Sequence, residues 1–370
     1  MLLQRQQNDK ILELLNSEQE ENVELAFQLC VGLAGKYSEK VKQKVQSFPL
    51  KCAQNHLETN FTENLTSLDL SYQHIAEIPP EISSFSQVQI LEMNQNDLQT
   101  LPHEFGTLTE LKELVMWDNF FTNLPPVIGQ LESLEILSLD GNQLATLPHT
   151  FAQLKNLTEL YLADNQFVEF PEETLVMPQL KKIALSGNDI ENISDGIACL
   201  QNLQWLDLRD NDLDTLPEAF TQLTALTYLD LSKNQLSALP QNLDKLRNLK
   251  YLSLWTNTLV ELPESLANLQ KLQHLNLRDN YFEEIPASIF QLTHLEELHL
   301  YRNKLSELPS DIQYLQNLKL LNLGVNPIKA LPEEISQLPG LRKLFLKNTD
   351  IDIDAQRQIQ AWLPNCEIDF

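Results

Sequence analysis

The sequence has few cysteines and no long hydrophobic run. These shortages argue against a disulfide-rich secreted protein and against a membrane-spanning one. The four cysteines are scattered and form no CxxC pair, which argues against a disulfide-stapled secreted scaffold. The first residues, MLLQRQQNDK, lack the apolar core of a secretory signal, and no run of about 18 apolar residues could span a bilayer. We therefore predict a cytoplasmic protein with no membrane partner, while secretion by a non-classical route stays open.

Positive charge is also scarce, because 26 Lys and Arg residues stand against 52 Asp and Glu residues and give a net charge of −26. Nucleic-acid phosphates need cationic partners, so this composition argues against a nucleic-acid-binding protein. An acidic surface speeds the association of a basic protein, so a charged protein or peptide partner is predicted to be basic. The alternative is that the acidic surface only keeps the protein soluble.

What the sequence does contain is one 23-residue pattern, which repeats twelve times from Leu65 to Gly340 and begins a thirteenth, incomplete copy at Leu341. The unit reads LxxLxLxxNxLxxLPxxIxxLxx, without insertion or deletion. One unit cannot bury so many leucines alone, so stacked units must share one continuous core. The Leu-x-Leu at positions four to six alternates like a short strand, so successive copies predict a parallel sheet.

Two further features of the repeat have structural roles. The asparagine at position nine recurs from Asn96 to Asn326 and can satisfy backbone groups that have no strand partner. Leu-Pro at positions fourteen and fifteen fixes the backbone φ angle and keeps the following segment out of the sheet. Only the sixth repeat lacks it, reading Ile193-Ser194-Asp195-Gly196.

This pattern resembles the typical 23-residue, Leu-Pro class of leucine-rich repeats, which occurs in intracellular scaffolds and in bacterial cytoplasmic or effector proteins. The resemblance covers residues 65 to about 350 and implies an α/β solenoid, a horseshoe with a parallel β-sheet on its concave face. It also implies that this face binds another macromolecule. We predict an N-terminal helical cap over residues 1–64, the solenoid over residues 65–349, and a C-terminal cap of helix and strand over residues 350–370.

Both caps are predicted to cover the ends of the solenoid core. Ser17 and Glu20 have the spacing of a capping box ahead of one helix, and Ser38 precedes another that ends before Pro49. Five lysines between residues 36 and 51 make this region locally basic, so a partner or membrane contact is the alternative role. At the other end, residues 354–363 predict a helix, and residues 366–370 predict a last strand that shields the sheet edge.

The functional surface is predicted at the strand positions that the core does not need, which are the third, fifth, seventh and eighth of each repeat. Repeats seven to eleven carry large aromatic and charged residues there, and Trp, Tyr and Arg dominate binding hot spots. The predicted partner-binding residues of this strand patch are Trp205, Asp207, Arg209, Tyr228, Asp230, Tyr251, Trp255, His274, Arg278, His299 and Tyr301. The alternative is that the aromatic rings stack along the sheet and stabilise it.

A secondary, more aliphatic patch is predicted on repeats two to five, at the same repeat positions. Its residues are Ile90, Val115, Trp117, Ile136 and Tyr161. A structural role in stabilising the sheet is again the alternative.

Two acidic residues of the strand patch need a charge partner. Asp207 and Asp230 fall at the same position of adjacent repeats, and like charges side by side cost stability. Arg209 is the predicted internal partner, and Lys182 is a weaker one. The alternative is a bound cation or a basic side chain from a partner.

No catalytic pattern is present, since the sequence has no P-loop, HExxH, GxSxG or dinucleotide-binding turn. No nucleophilic cysteine or serine accompanies His274 and His299, which are predicted to be ligand contacts or solvated residues. We therefore predict no catalytic residue, cofactor or metal, and a non-enzymatic scaffold, adaptor or inhibitor that binds a protein or peptide. The alternatives are carbohydrate or cell-wall recognition, a secreted effector-type binding domain, and homodimerisation, although a monomer is favoured.

Overall fold

A computed structural model of the protein describes residues 2–370, which are divided between two units. The first unit comprises the chain up to Ser138 together with Pro148–Leu157, and the second comprises Leu139–Leu147 and Thr158–Phe370. Within residues 2–370, no helix is both long and apolar enough to cross a bilayer. The α-helices are α1 (Leu2–Leu15), α2 (Glu20–Gly32), α3 (Glu39–Val45), α4 (Pro49–Gln54), α5 (Thr59–Thr62) and α6 (Ile353–Trp362).

Each repeat contributes one three-residue strand followed by a short 3₁₀ helix, as the alternation and the Leu-Pro pair predict. The strands of the first unit are β1 (Ser67–Asp69), β2 (Ile90–Glu92), β3 (Glu113–Val115) and β4 (Ile136–Ser138). Those of the second unit are β5 (Glu159–Tyr161), β6 (Lys182–Ala184), β7 (Trp205–Asp207), β8 (Tyr228–Asp230), β9 (Tyr251–Ser253), β10 (His274–Asn276), β11 (Glu297–His299), β12 (Leu320–Asn322), β13 (Lys343–Phe345) and β14 (Glu367–Asp369). The 3₁₀ helices span Pro80–Ser84, His103–Thr107, Pro126–Gln130, His149–Gln153, Glu172–Val176, Asp195–Cys199, Glu218–Gln222, Leu243–Lys245, Glu264–Asn268, Ala287–Gln291, Ser310–Tyr314 and Glu333–Gln337.

The strands of each unit are parallel and pair in chain order, and the 23-residue period sets their register. Leu206 on β7 pairs with Leu229 on β8, which pairs with Leu252 on β9. These central leucines are at most 1% exposed, whereas the residues on either side of each face the opposite surface of the strand. The predicted leucine-rich-repeat solenoid, with its parallel sheet and terminal helices, is therefore confirmed.

The asparagine at position nine performs the predicted backbone role. In the eighth repeat, the Asn234 amide nitrogen donates to the carbonyl oxygens of Leu208 at 2.9 Å and Leu231 at 3.1 Å. Its side-chain oxygen accepts from the backbone N–H of Leu213 at 3.0 Å. Asn234 is buried and joins two consecutive repeats, so one amide satisfies backbone groups that no strand could pair.

Position eight of every repeat adopts the left-handed backbone conformation, a feature that the sequence analysis did not predict. Its φ angle lies between 49° at Gln95 and 67° at Gly187 across all thirteen copies. Only two of these copies are glycine, and Thr256 and Val325 are β-branched residues, which rarely adopt this region. The turn that ends each strand therefore imposes the conformation on whichever residue is present.

The N-terminal helices enclose a hydrophobic core of their own that includes Phe27, Cys30 and Val41. The Ser38 hydroxyl accepts from the backbone N–H of Val41 and caps α3, as predicted. The predicted capping box is wrong, because α2 begins at Glu20 after Gln19 and its cap residue forms no side-chain hydrogen bond. The Ser17 hydroxyl instead accepts from the Asn22 amide at 2.9 Å.

The C-terminal end follows the prediction closely. The Asp352 carboxylate accepts from the backbone N–H of Ala355 at 2.8 Å and caps α6. Strand β14 pairs with β13 in parallel, with Ile368 opposite Leu344. The last strand therefore covers the exposed edge of β13.

Candidate functional site

The strand patch begins with a row of rings at position three of consecutive repeats. The rings of Trp205 and Tyr228 stack with centroids 5.1 Å apart, and those of Tyr228 and Tyr251 stack at 4.5 Å. His274 continues the row in a tilted arrangement, 6.1 Å from Tyr251. Strand register brings these side chains together, so both ring faces of Tyr228 are covered by neighbours. The rings of the aromatic row (Trp205, Tyr228, Tyr251) therefore stack along the sheet, which is the arrangement that the structural alternative requires.

Asp207 and Asp230 lie directly beneath this row, at position five. They are only 2% and 4% exposed. Arg209 is the predicted internal partner, and its guanidinium lies 2.8 Å from the Asp207 carboxylate and 3.8 Å from that of Asp230. Lys182, the predicted weaker partner, pairs instead with Glu159 at 3.1 Å. Because the two aspartates are buried, a basic side chain from a partner has no surface through which to reach them.

Asp230 belongs to a hydrogen-bonded network of small hydroxyl side chains. It accepts from the backbone N–H and the hydroxyl of Ser232, and that hydroxyl contacts the Ser253 hydroxyl at 2.6 Å. The Tyr228 hydroxyl adds a longer contact of 3.4 Å. Burial raises the pKa of Asp230, and the nearby Asp207 charge adds to the increase, although the Ser232 bonds and Arg209 oppose it.

Ionisation of Tyr228 and Arg209 is shifted by the same environment. Burial and the Asp230 charge raise the pKa of the Tyr228 phenol, so the hydroxyl stays a neutral donor. The hydrogen bonds to Asp207 raise the pKa of Arg209, which stays cationic. The pKa values of Tyr228 and Arg209 are therefore both shifted away from the range in which a side chain exchanges protons near neutral pH.

A second cluster centres on Arg278, at position seven of the tenth repeat. Its guanidinium carbon lies 5.4 Å from the Trp255 ring centroid and 4.7 Å from the Tyr301 ring centroid. The Trp255 indole donates to the Asp279 carboxylate at 2.9 Å, and that carboxylate also pairs with Arg302 at 3.2 Å. These bonds fix the indole orientation, so the cation is held between two rings.

The two histidines of the strand patch share a carboxylate that the sequence analysis did not select. The Glu297 carboxylate lies 3.1 Å from a ring nitrogen of His274 and 3.7 Å from one of His299. Burial lowers the pKa of His299, and the Arg278 charge contributes to this decrease, although Glu297 opposes it. Within residues 2–370, no cluster of His, Cys, Asp or Glu has the arrangement of a metal site.

Four of the secondary-patch residues lie in the first unit, on or just after β2, β3 and β4. Ile90 is 37% exposed, and Trp117 packs edge-to-face against Tyr72 at 6.2 Å. Tyr161 lies in the second unit, where its hydroxyl donates to Glu159 at 2.6 Å. The partner-binding role of both patches stays a prediction.

The contributors that the sequence analysis missed occupy the same repeat positions as those it selected. Ser232 and Ser253 are small, and Glu297 and Asp279 are two of many acidic residues in this chain. Their residue types therefore did not mark them as functional. Their repeat positions did give a signal, because equivalent positions of adjacent repeats lie side by side. Positions three and five lie on the paired strands, and positions seven and eight follow them in the turn. Listing every side chain at those positions would have found all four.

Comparisons with known proteins agree with this geometry. A family model described as "Leucine-rich repeat region" matches residues 50–160 and 229–305, and one described as "Leucine rich repeat" matches residues 178–236 and 293–351. A search of curated protein sequences found no significant match.

Solved structures provide the similar proteins. A leucine-rich-repeat protein of Leptospira interrogans is 33% identical, with a TM-score of 0.74 over 86% of this chain and 92% of that one. An internalin of Listeria monocytogenes is 24% identical, with a TM-score of 0.73 over 84% of this chain and 88% of that one, which supports the fold alone. The Toll–Spätzle complex of Drosophila contains a chain that is 29% identical, with a TM-score of 0.70 over 80% of this chain and 43% of that one.

Proposed function

Because the chain belongs to the leucine-rich-repeat family, we propose that it is a non-enzymatic protein-interaction module that binds a protein or peptide partner through the strand patch. Proteins of this fold commonly mediate protein–protein interaction, and a chain similar to this one was solved as part of the Toll–Spätzle complex. The observation that carries the proposal is the cluster of Trp255, Arg278 and Tyr301, which offers two aromatic rings and a cation on one surface.

The ring arrangement favours a protein over a sugar ligand. Carbohydrate recognition requires an aromatic face that is free to stack on a sugar ring. Both faces of Tyr228 are covered by Trp205 and Tyr251, and Arg278 lies against a face of Trp255. The ring edges and the charged groups between them are features that protein side chains recognise well.

The proposal includes the absence of catalysis and a location inside the cell. The pKa values of Tyr228 and Arg209 are both raised further from neutral pH, and the sequence contains none of the catalytic motifs considered above. The four cysteines of the described chain are free thiols, and free thiols are typical of proteins in a reducing compartment.

The decisive experiment is capture of partners by wild type and by the double variant Trp205→Ala, Trp255→Ala, followed by mass spectrometry. Trp205 lies at one end of the aromatic row, so its loss leaves the Tyr228–Tyr251 stack in place. We expect proteins retained by wild type to be lost from the double variant, because hot-spot truncations each cost about 2 kcal/mol or more of binding.

Tyr314→Ala is the matched control, because this tyrosine is 56% exposed on a 3₁₀ helix of the same unit, away from the strands. It should retain every partner. Thermal melting of all variants checks that they are folded. Equal capture by the double variant and wild type would contradict the proposal, and so would a glycan array that binds the protein while partner capture stays empty.

A further inference from the structure

The three arginines of the strand surface differ in how their charge is balanced. Arg209 lies 2.8 Å from Asp207, and Arg302 lies 3.2 Å from Asp279. Arg278, between them in the sequence, forms no ion pair among residues 2–370, although acidic side chains are twice as numerous as basic ones in this chain. Its charge is therefore uncompensated in a patch where the other two guanidinium groups are matched.

Arg278 also has unsatisfied hydrogen-bonding capacity. Its Nε is buried, and within residues 2–370 it is one of only two buried side-chain nitrogen or oxygen atoms with no hydrogen-bond partner, the other being Ser288 Oγ. The residue as a whole is partly exposed, so the rest of its side chain is open to a ligand. The buried Nε–H without an acceptor costs free energy in the folded state.

The surroundings prepare this group for one kind of ligand. The rings of Trp255 and Tyr301 lie against the guanidinium at 5.4 and 4.7 Å and limit its contact with water. A planar, partly desolvated guanidinium that keeps its orientation matches a carboxylate, which can accept two parallel hydrogen bonds from it. The Trp255 indole is itself held by Asp279, so the rings are positioned before any ligand arrives.

We propose that Arg278, held between Trp255 and Tyr301, is a receptor for an Asp or Glu side chain of the partner protein. This inference rests on the proposed function and names the chemistry of its central contact. An aromatic ring lies on each side of Arg278, so a partner chain has contact surface both before and after the acidic residue. That arrangement suits a residue inside a partner segment better than the carboxylate at its end.

This assignment reverses the sequence expectation for the local contact. The net charge of −26 predicts a basic partner, but the buried Asp207 and Asp230 are already matched by Arg209. Arg278 is the arginine of the strand patch whose guanidinium has no carboxylate partner within residues 2–370. A partner that presents one acidic residue among neutral or basic ones would pair with Arg278 locally. Its basic residues would still be attracted by the net negative charge of this protein.

Nuclear magnetic resonance of the Nε–Hε groups tests the receptor directly on the full chain. The protein has only seven arginines, so the Arg278 signal can be assigned by its loss in Arg278→Gln. The probe is N-acetyl-glutamate amide, which presents a glutamate side chain without chain-end charges. We expect a saturable shift of the Arg278 signal in wild type. The affinity, which the indole N–H signal of Trp255 reports in both proteins, should fall about tenfold or more in Arg278→Gln.

Lys319→Gln is the matched control, because it removes a positive charge of the same unit at an exposed residue that already pairs with Glu296 at 2.6 Å. It should change the affinity about twofold or less. N-acetyl-glutamine amide, which has the same shape without the charge, should leave the chemical shift of the Arg278 signal unchanged.

Three results would overturn the inference. One is an Arg278 signal that does not respond to the glutamate probe, and another is an equal response to the glutamine probe. The third is tighter binding of N-acetylglycine or inorganic phosphate, which would assign the site to a chain end or a phosphate. If partner capture still depends on Trp205 and Trp255 in any of these cases, the proposed function stands and only the carboxylate contact fails.

Discussion

Asp207 and Asp230 lie opposite each other in register on adjacent parallel strands, and both are almost completely buried. Two neighbouring carboxylates in such a site repel each other unless their charge is matched. Arg209 contacts both, and Ser232 donates two hydrogen bonds to Asp230 alone. The pair is therefore a structural network whose stability depends on pH.

Replacement of Asp230 by asparagine tests this dependence. Burial raises the folded-state pKa of Asp230, so its contribution to stability is fully present below the unfolded pKa and is lost as pH rises through the folded pKa. Asp230→Asn stays neutral, so its stability relative to wild type should increase as pH rises from about 4 to about 8. Urea unfolding at a series of pH values measures this difference.

The control for that series is Asp210→Asn, an exposed carboxylate that pairs with Lys233 at 2.9 Å. Its difference from wild type should change little with pH, because exposed ion pairs contribute little. A difference for Asp230→Asn that is constant with pH, or that moves the other way, would contradict the network described above.

The asparagine ladder predicts a large loss of stability on substitution. Asn234→Ala removes bonds to the carbonyls of Leu208 and Leu231 and to the N–H of Leu213, and all three are buried. The free energy of unfolding should fall by about 2 kcal/mol or more. Denaturant unfolding measures it, with the exposed Asn123→Ala as the control that should stay within about 0.5 kcal/mol of wild type.

The left-handed turn predicts that glycine stabilises position eight. Thr256 is exposed there with φ of 55°, a conformation that costs a β-branched residue about 1–2 kcal/mol. Thr256→Gly removes this cost and adds some unfolded-state entropy, so a net gain of about 0.5 kcal/mol is expected. Thermal melting measures it.

The reverse substitution provides the control. A Cβ on Gly187, where φ is 67°, would clash with the Asp164 carboxylate. Gly187→Ala should therefore lower stability by about 1 kcal/mol or more. If both variants change stability in the same direction, the turn does not impose the conformation described.

The missing proline of the sixth repeat offers a stabilising substitution. Ser194 has φ of −74° and ψ of 160°, close to the −67° and 149° of Pro217 at the equivalent place in the next repeat. Ser194→Pro should raise the melting temperature, with a gain of about 0.4–1 kcal/mol, because it restricts the unfolded chain without straining the folded one. Pro217→Ala should produce a loss of similar size, and a loss from Ser194→Pro would show that the two turns are not equivalent.

Most of the fold was predictable because the repeat specifies it several times over. The Leu-x-Leu alternation, position-nine asparagine and Leu-Pro pair each point to the same turn of chain, so an error at one residue is corrected by the others. The N-terminal region has no such redundancy. Ser17 and Glu20 match a capping box in spacing, yet the chain enters α2 at an angle that directs the Ser17 hydroxyl to Asn22.

The sequence by itself determined the strands, their register and the positions that face away from the leucine core, because one 23-residue period fixes all three. Only the tertiary structure decided what the side chains at those positions do, since their neighbours are residues of adjacent repeats rather than residues nearby in the chain. Packing between repeats turns Tyr228 into the centre of a stack and buries Asp230 with Arg209 beside it. The same packing leaves the Arg278 guanidinium between two rings and without a carboxylate, whereas Arg209 pairs with Asp207, and residue type alone cannot distinguish these two arginines.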